Sequence, residues 1–357
     1  MLKPVYSCKF VTMSNFMIRK YFPFFLAVLV FSCTTKNKIP DVSNIKIDLT
    51  TQHFEDDLFN LDTSMFIVQL EQLQAKYPSF GENFLTTILN ADPKWPIDST
   101  SSYVRNFIKA YKPVYDTSKK VIKDFSYYES EIRKGLQFLK YYYPNYKAPQ
   151  KVITYIGPVD GYGDILSDDA FIVGLHIHLG KNYSLYHSSF VEETYPPYLS
   201  NRFEPEYIPV NCMNNIVKDL FPEKSEDKPL VDQMVEKGKR LFLLAKLLPY
   251  TKEYKLIGYT DEQLTSCYAN EANIWKLFIQ NNLLQTIDNN IIKNYIGESP
   301  KTPELWDDNG KFAPGNIGAF AGWQIVKKYS QAHPSVTIQQ LMQTEAETIF
   351  QNAKYKP

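Results

Sequence analysis

The stretch Arg202–Pro222, RFEPEYIPVNCMNNIVKDLFP, decides how the rest of the chain is read. Pro205 and Pro209 punctuate an acidic approach carrying Glu204 and Glu206, and Pro222 closes the segment. Between them the chain has room for one short helix, over roughly 210–220. Its middle carries Asn211, Cys212, Asn214 and Asn215, where a helix serving only as packing would carry alanine or leucine. The segment contains no histidine.

Upstream, the texture changes at Pro149. The runs 151–156 (KVITYI) and 170–179 (AFIVGLHIHL) have strand character, and the turn-rich loop 157–164 (GPVDGYGD) separates them. Read as a strand, the second run puts Phe171, Val173, Leu175, Ile177 and Leu179 on one face and Ile172, Gly174, His176 and His178 on the other. Two histidines on one face suit a metal, but no carboxylate or third ligand is spaced to join them. The alternative is a half-solvated sheet face whose imidazoles bond to neighbours. Asp160, Asp164, Asp168 and Asp169 do not follow the spacing of a calcium loop.

The residues before Pro149 read mainly as helix. A short strand is expected at 45–48, then helices over 52–59, 61–77 (starting near Thr63 or Ser64 and ended by Pro78), 84–89 and 104–111. The strongest tract runs 118–143, where Val121, Phe125, Tyr128, Ile132, Leu136 and Leu139 recur every three or four residues. Downstream, a helix over about 229–248 begins at a proline, which lacks a donor that would be unpaired there anyway. Thr260 suits the cap of another helix. That helix buries a broad side including Cys267, Tyr268 and Trp275, and sets Glu271 among apolar residues, where a carboxylate needs donors or a raised pKa. Gly315, Gly318 and Gly322 let something bulky approach a helix start; the Lys-Ser/Thr end of a nucleotide loop is missing.

With 357 residues, 44% hydrophobic and 15% aromatic, the chain can bury one or two domain cores. Its first 32 residues carry four bases and no acid, leaving 35 bases against 39 acids in the remainder. That balance argues against a nucleic-acid partner, which needs a concentrated basic face. The cysteines, at 8, 33, 212 and 267, are too scattered for a disulfide framework or a metal knuckle; a Cys212–Cys267 pair stays open. The apolar run 22–31 is about half the length needed to span a bilayer as a helix. Followed by Ser32-Cys33, it resembles a bacterial lipoprotein signal, which implies that Cys33 becomes the first mature residue and carries the lipid anchor.

That leader, together with Arg202–Val217, Asn270–Trp275 (NEANIW) and Ile317–Val326 (IGAFAGWQIV), resembles the gliding-motility lipoprotein GldB family over essentially all of the mature chain. The resemblance implies a Bacteroidetes cell-envelope lipoprotein, facing the periplasm, that works through other proteins of the gliding and secretion machinery and needs no cofactor. The family in turn looks like a degenerate relative of gluzincin metallopeptidases. The fold so implied is α+β and predominantly α-helical: a zincin-like core with a small mixed sheet and a helical N-terminal part. Its boundaries are a signal peptide over 1–32, a lipidated tether over 33–44, a helical region over 45–148 and a zincin-like domain over 149–357, the last two forming one unit.

Carried over residue by residue, Asn211-Cys-Met-Asn-Asn215 stands where H-E-x-x-H would bind zinc, with Met213 at its centre, and Glu236 stands where the third ligand is expected. Tyr259 or Tyr329 corresponds to a tyrosine that would stabilise an oxyanion. One glutamate without two histidines cannot hold a catalytic zinc, so no catalytic or metal-binding residue is expected. His176, His178, Arg202, Glu204, Glu206, Glu271, Trp275 and Trp323 are the expected cleft or recognition residues. Three readings compete. They are a noncatalytic component of the gliding apparatus, a hydrolase with relocated chemistry (His176, His178 and Glu236, or Cys212 as nucleophile), and a passive lipoprotein whose polar helix only stabilises the core.

Overall fold

The two apolar runs flanking the 157–164 loop pair with each other at the centre of a sheet. The computed structural model describes residues 39–306 and 310–357. Within them β1 (Thr50–His53), β2 (Lys151–Tyr155), β3 (Ile165–Leu166) and β4 (Ala170–Gly174) stand in the order β1-β2-β4-β3. The first three neighbours run parallel, Lys151 pairing with Thr50 on one side and Ala170 on the other. β3 closes the edge antiparallel to β4. The central strands are buried on both faces, which is why they read as continuous apolar runs.

β4 stops five residues short of the expected strand. Gly174 gives its N–H to the Asp164 carboxylate at 3.0 Å, and Leu175–Ile177 turn into a 3-10 helix. A Cβ at Gly174 would lie 2.6 Å from the His176 ring. His176 and His178 therefore leave the sheet and are fully buried, not displayed on a half-solvated face.

The segment 45–48 forms no strand. Its carbonyls, with that of Leu49, are taken by side chains: Arg133 donates to Ile47 (2.5 Å) and Leu49 (2.7 Å), and Gln137 to Ile45 (2.9 Å). The first strand lies instead at 50–53, partly inside the expected first helix, and α1 (Phe54–Phe59) follows it without a loop. α2 (Phe66–Lys76) ends before Pro78 as expected. The long tract divides into α3 (Ile97–Val121), which accommodates Pro113, and α4 (Ser126–Tyr142). Asp124 breaks it by accepting from the Ser126 N–H (2.8 Å) and hydroxyl (2.6 Å). Ile122 and Phe125 stay buried across the break, so the apolar period continues where the helix does not.

Beyond the sheet come α5 (Ile208–Leu220), α6 (Leu230–Leu247), α7 (Glu253–Ile257), α8 (Asp261–Ala269), α9 (Glu271–Gln280) and α10 (Ile317–Ala332). Thr260 and Gln263 form a full capping box on α8. The bulky element that the glycines of α10 admit is α6. A Cβ on Gly322 would lie 1.8 Å from the Met234 carbonyl oxygen, and one on Gly238 2.3 Å from the Gly322 carbonyl. The two helices cross in backbone contact, with Trp323 fully buried beside the crossing.

The fold is thus predominantly helical with a small mixed sheet. β1, from the N-terminal part, pairs with β2, and Val42–Pro357 pack as one unit. Among the described residues no helix is long and apolar enough to cross a membrane. Cys33 and the apolar run before it lie outside the described residues.

Candidate functional site

α5 packs under the antiparallel edge strand, and Asp164, just before that strand, is the residue on which the site converges. Its carboxylate is almost wholly buried. One oxygen, Oδ2, accepts from Asn211 Nδ2 at 2.8 Å and meets His178 Nε2 at 2.8 Å, while Oδ1 takes the Gly174 N–H. One helical turn along α5, Asn215 Nδ2 donates to the Asp164 backbone carbonyl at 3.1 Å. The other nitrogen of His178, Nδ1, lies 3.2 Å from the Glu204 carbonyl oxygen. The ring thus bridges the Glu204 carbonyl and the Asp164 carboxylate. His178, Glu204, Asn211 and Asn215 are thereby joined through a residue that sequence reading considered only as a calcium ligand.

The chemistry of this donor set is opposite to that of a zinc site. Asn211 and Asn215, one helical turn apart, present N–H donors to Asp164, where metal ligands would present lone pairs to a cation. His176 is equally committed. Its Nδ1 accepts from the Gly157 N–H at 3.0 Å, its Nε2 donates to the Tyr162 carbonyl at 2.9 Å, and burial pushes its pKa down to about 4. Cys212 is fully buried; burial, and then the Asp164 charge, push its thiol well above the ordinary range. A thiol held that high lacks the thiolate a nucleophile needs. Cys212 and Cys267 are both free thiols.

Beside α5 opens a cleft of about 340 Å3. Arg202, Asn211 and Asn214 line it together with residues of α6 and α7. Glu236 lies elsewhere, bonded to Lys239 at 2.8 Å in a separate groove with Phe221, Asp232 and Glu345. Lys237, the next residue, is the one that faces the cleft. The Glu204 carboxylate accepts from the Lys181 N–H, and Glu206 is exposed. Glu271 accepts from the Tyr355 hydroxyl at 2.6 Å, and Trp275 stands edge-on to the same ring. Trp323 has Lys327 Nζ 4.0 Å over its ring. Tyr259 spends its hydroxyl on the Gly315 carbonyl (2.8 Å), and Tyr329 stacks on His333. None of these last five lines the cleft.

A family model described as gliding motility protein GldB matches residues 35–357. The chain belongs to the GldB family. No curated protein and no solved structure matches it. As a GldB-family member it is a noncatalytic gliding-motility lipoprotein, lipid-anchored in the cell envelope and engaged with the gliding and secretion machinery. Its sequence carries no H-E-x-x-H.

One further cluster in this GldB-family chain escaped sequence reading. His53, Glu55 and Asp56 bring their side-chain donor atoms within 4.8 Å of one another where β1 runs into α1. In residue type it resembles a degenerate metal site, yet its oxygens are already taken. Glu55, fully buried, accepts from Thr154 (2.6 Å) and His53 (3.2 Å). Asp56 accepts from Tyr115 and Lys119, each at 2.9 Å. The Glu55 hydrogen bond raises the His53 pKa. The local signal was H-F-E-D: its acids do open helix α1, and their side chains also reach Thr154, Tyr115 and Lys119 across the chain.

Proposed function

We propose that the cleft beside α5 is the surface through which this lipoprotein recognises a protein of the gliding and secretion machinery, and that the Asp164 network is its rigid floor. The observation that carries this is the use made of Asn211 and Asn215. Both amides are spent on Asp164, which fixes α5 against the sheet edge. The Asn214 side chain, which lines the cleft from the same helix, makes no hydrogen bond among the described residues and is free for a partner. In this reading Cys33 carries the lipid, residues 33–44 form the tether, and the folded unit faces the periplasm.

A photo-crosslinking amino acid at position 214, expressed in cells that glide, tests the reading. It is expected to yield an adduct with an envelope protein of the machinery, whereas the same probe at exposed Glu206 is expected to yield none. Absence of any adduct from position 214, at normal abundance of the lipoprotein, overturns it.

A further inference from the structure

The cleft is far more basic than the chain that builds it. Arg202, Lys218, Lys237, Arg240 and Lys255 contribute to its lining, against a single carboxylate, Glu298. Two of these cations are already engaged. Arg202 holds Glu298 with both guanidinium nitrogens, at 2.5 and 3.2 Å, and Arg240 pairs with Glu223. Among the described residues, the side-chain amines of Lys218, Lys237 and Lys255 make no hydrogen bond or ion pair. Lys237 is partly buried, and burial followed by the Arg240 charge holds its ammonium below the ordinary range despite Glu223 and Glu298. Cations crowded this way repel one another, and an anion set among them removes the repulsion and supplies the missing partner. Asn316 and Ala319, at the start of the 16-residue helix α10, also line the cleft, so the positive end of that helix dipole adds to the potential.

Part of the wall is apolar, beside the amides of Asn211, Asn214 and Asn316. Tyr207, Val210, Leu241, Leu256 and Ile257 line it. A free inorganic anion leaves that surface unused. A ligand that satisfies both parts carries a carboxylate next to an apolar side chain, and about 340 Å3 holds one or two residues of that kind.

We infer that this cleft binds the carboxylate-bearing apolar end of a peptide, with Lys218, Lys237 and Lys255 as the anion's partners and the apolar wall receiving the adjoining side chain. The inference rests on the recognition role proposed above and names the chemistry of what is recognised. A C-terminal carboxylate and an acidic side chain beside an apolar residue share that chemistry.

The test uses the detergent-solubilised full chain and fluorescence anisotropy with three fluorescein-labelled random octapeptide pools: one ending in leucine with a free carboxylate, one ending in leucine amide, and one ending in glutamyl-leucine amide. The free acid is expected to bind about tenfold more tightly than the leucine amide, the loss set by one charged hydrogen bond. Recovery of binding by the glutamyl-leucine amide assigns the anion to a side chain; no recovery assigns it to the C-terminus. Lys237→Met and, separately, Lys218→Met are each expected to weaken the free acid several-fold and leave the leucine amide unchanged, with an unaltered melting temperature showing that the fold is intact. Equal binding of acid and leucine amide, absence of binding, or competition by inorganic phosphate at equal concentration overturns the carboxylate site. An adduct from position 214 alongside equal binding of acid and amide would keep the recognition surface and remove only its carboxylate specificity.

Discussion

Asn211 gives its side-chain amide to the Asp164 carboxylate at 2.8 Å from the N-terminal half of α5. The same oxygen meets His178, so one buried carboxylate holds the N-terminal half of α5, the turn after β4 and the edge of the sheet together. The result is a closed polar knot in which the Asp164 oxygens are taken by donors from three parts of the chain.

Removing the hub is therefore expected to be costly. Asp164→Ala leaves Asn211, His178 and Gly174 facing no acceptor, and a loss of about 3–5 kcal/mol is expected from breaking a buried charged network. Asn211→Leu removes one donor and is expected to cost about 1–3 kcal/mol. Urea unfolding followed by tyrosine fluorescence measures both. A loss under about 1 kcal/mol for Asp164→Ala would remove the hub from the account.

His176 makes stability depend on acid. It stays neutral in the fold, with a pKa pushed down to about 4, and takes up a proton near its ordinary 6.5 once unfolded. Its contribution is complete above pH 6.5 and is lost as the pH falls toward 4, a span of about 3 kcal/mol. Unfolding measured between pH 7.5 and 4.5 should show this fall, and His176→Asn should flatten it. His53 acts in the opposite sense. Its pKa is raised, so its contribution is present below 6.5 and fades as the pH climbs through the raised value. His53→Gln should remove that alkaline decline, and an unchanged profile would contradict the ion pair with Glu55.

The crossing of α6 and α10 tolerates no side chain at its centre. Gly322→Ala sets a methyl group 1.8 Å from the Met234 carbonyl, so one helix must shift. A loss of about 3 kcal/mol or more is expected, above the usual cost of overpacking because the obstacle is backbone. A melting temperature within a degree or two of the parent would contradict the contact.

Both cysteines should be silent toward mild alkylation in the native protein. Burial holds each thiol above its ordinary range, Cys267 at about 12, and both side chains are enclosed. Mass spectrometry after iodoacetamide treatment should find no adduct until denaturant is added. Rapid native labelling of Cys212 would revive the nucleophile reading.

The apolar period and the prolines made much of this legible in advance. Helix α5 with Pro222 behind it, the proline start of α6 and the Thr260 cap all rest on local chemistry. What failed depended on side chains reaching across the chain. Arg133 and Gln137 satisfy the carbonyls of 45–49 and so remove the need for a strand there. Asp124 cuts a helix without interrupting its apolar stripe. Asp164 was visible only as one aspartate among four, because its role depends on a glycine ten residues later and two asparagines nearly fifty residues on. The family resemblance marked α5 as the place to look, but it could not show which of its four polar residues face the sheet and which face the cleft.

The most direct test of the central claim is gliding by cells whose only copy of this lipoprotein carries Asn214→Trp. Asn214 lies on the cleft wall and holds nothing in the Asp164 network, so an indole there fills the cleft and leaves the fold alone. Loss of spreading over a surface, with the lipoprotein at normal abundance and retained in the membrane fraction, is the result expected of a recognition cleft. Normal spreading under the same conditions would contradict it.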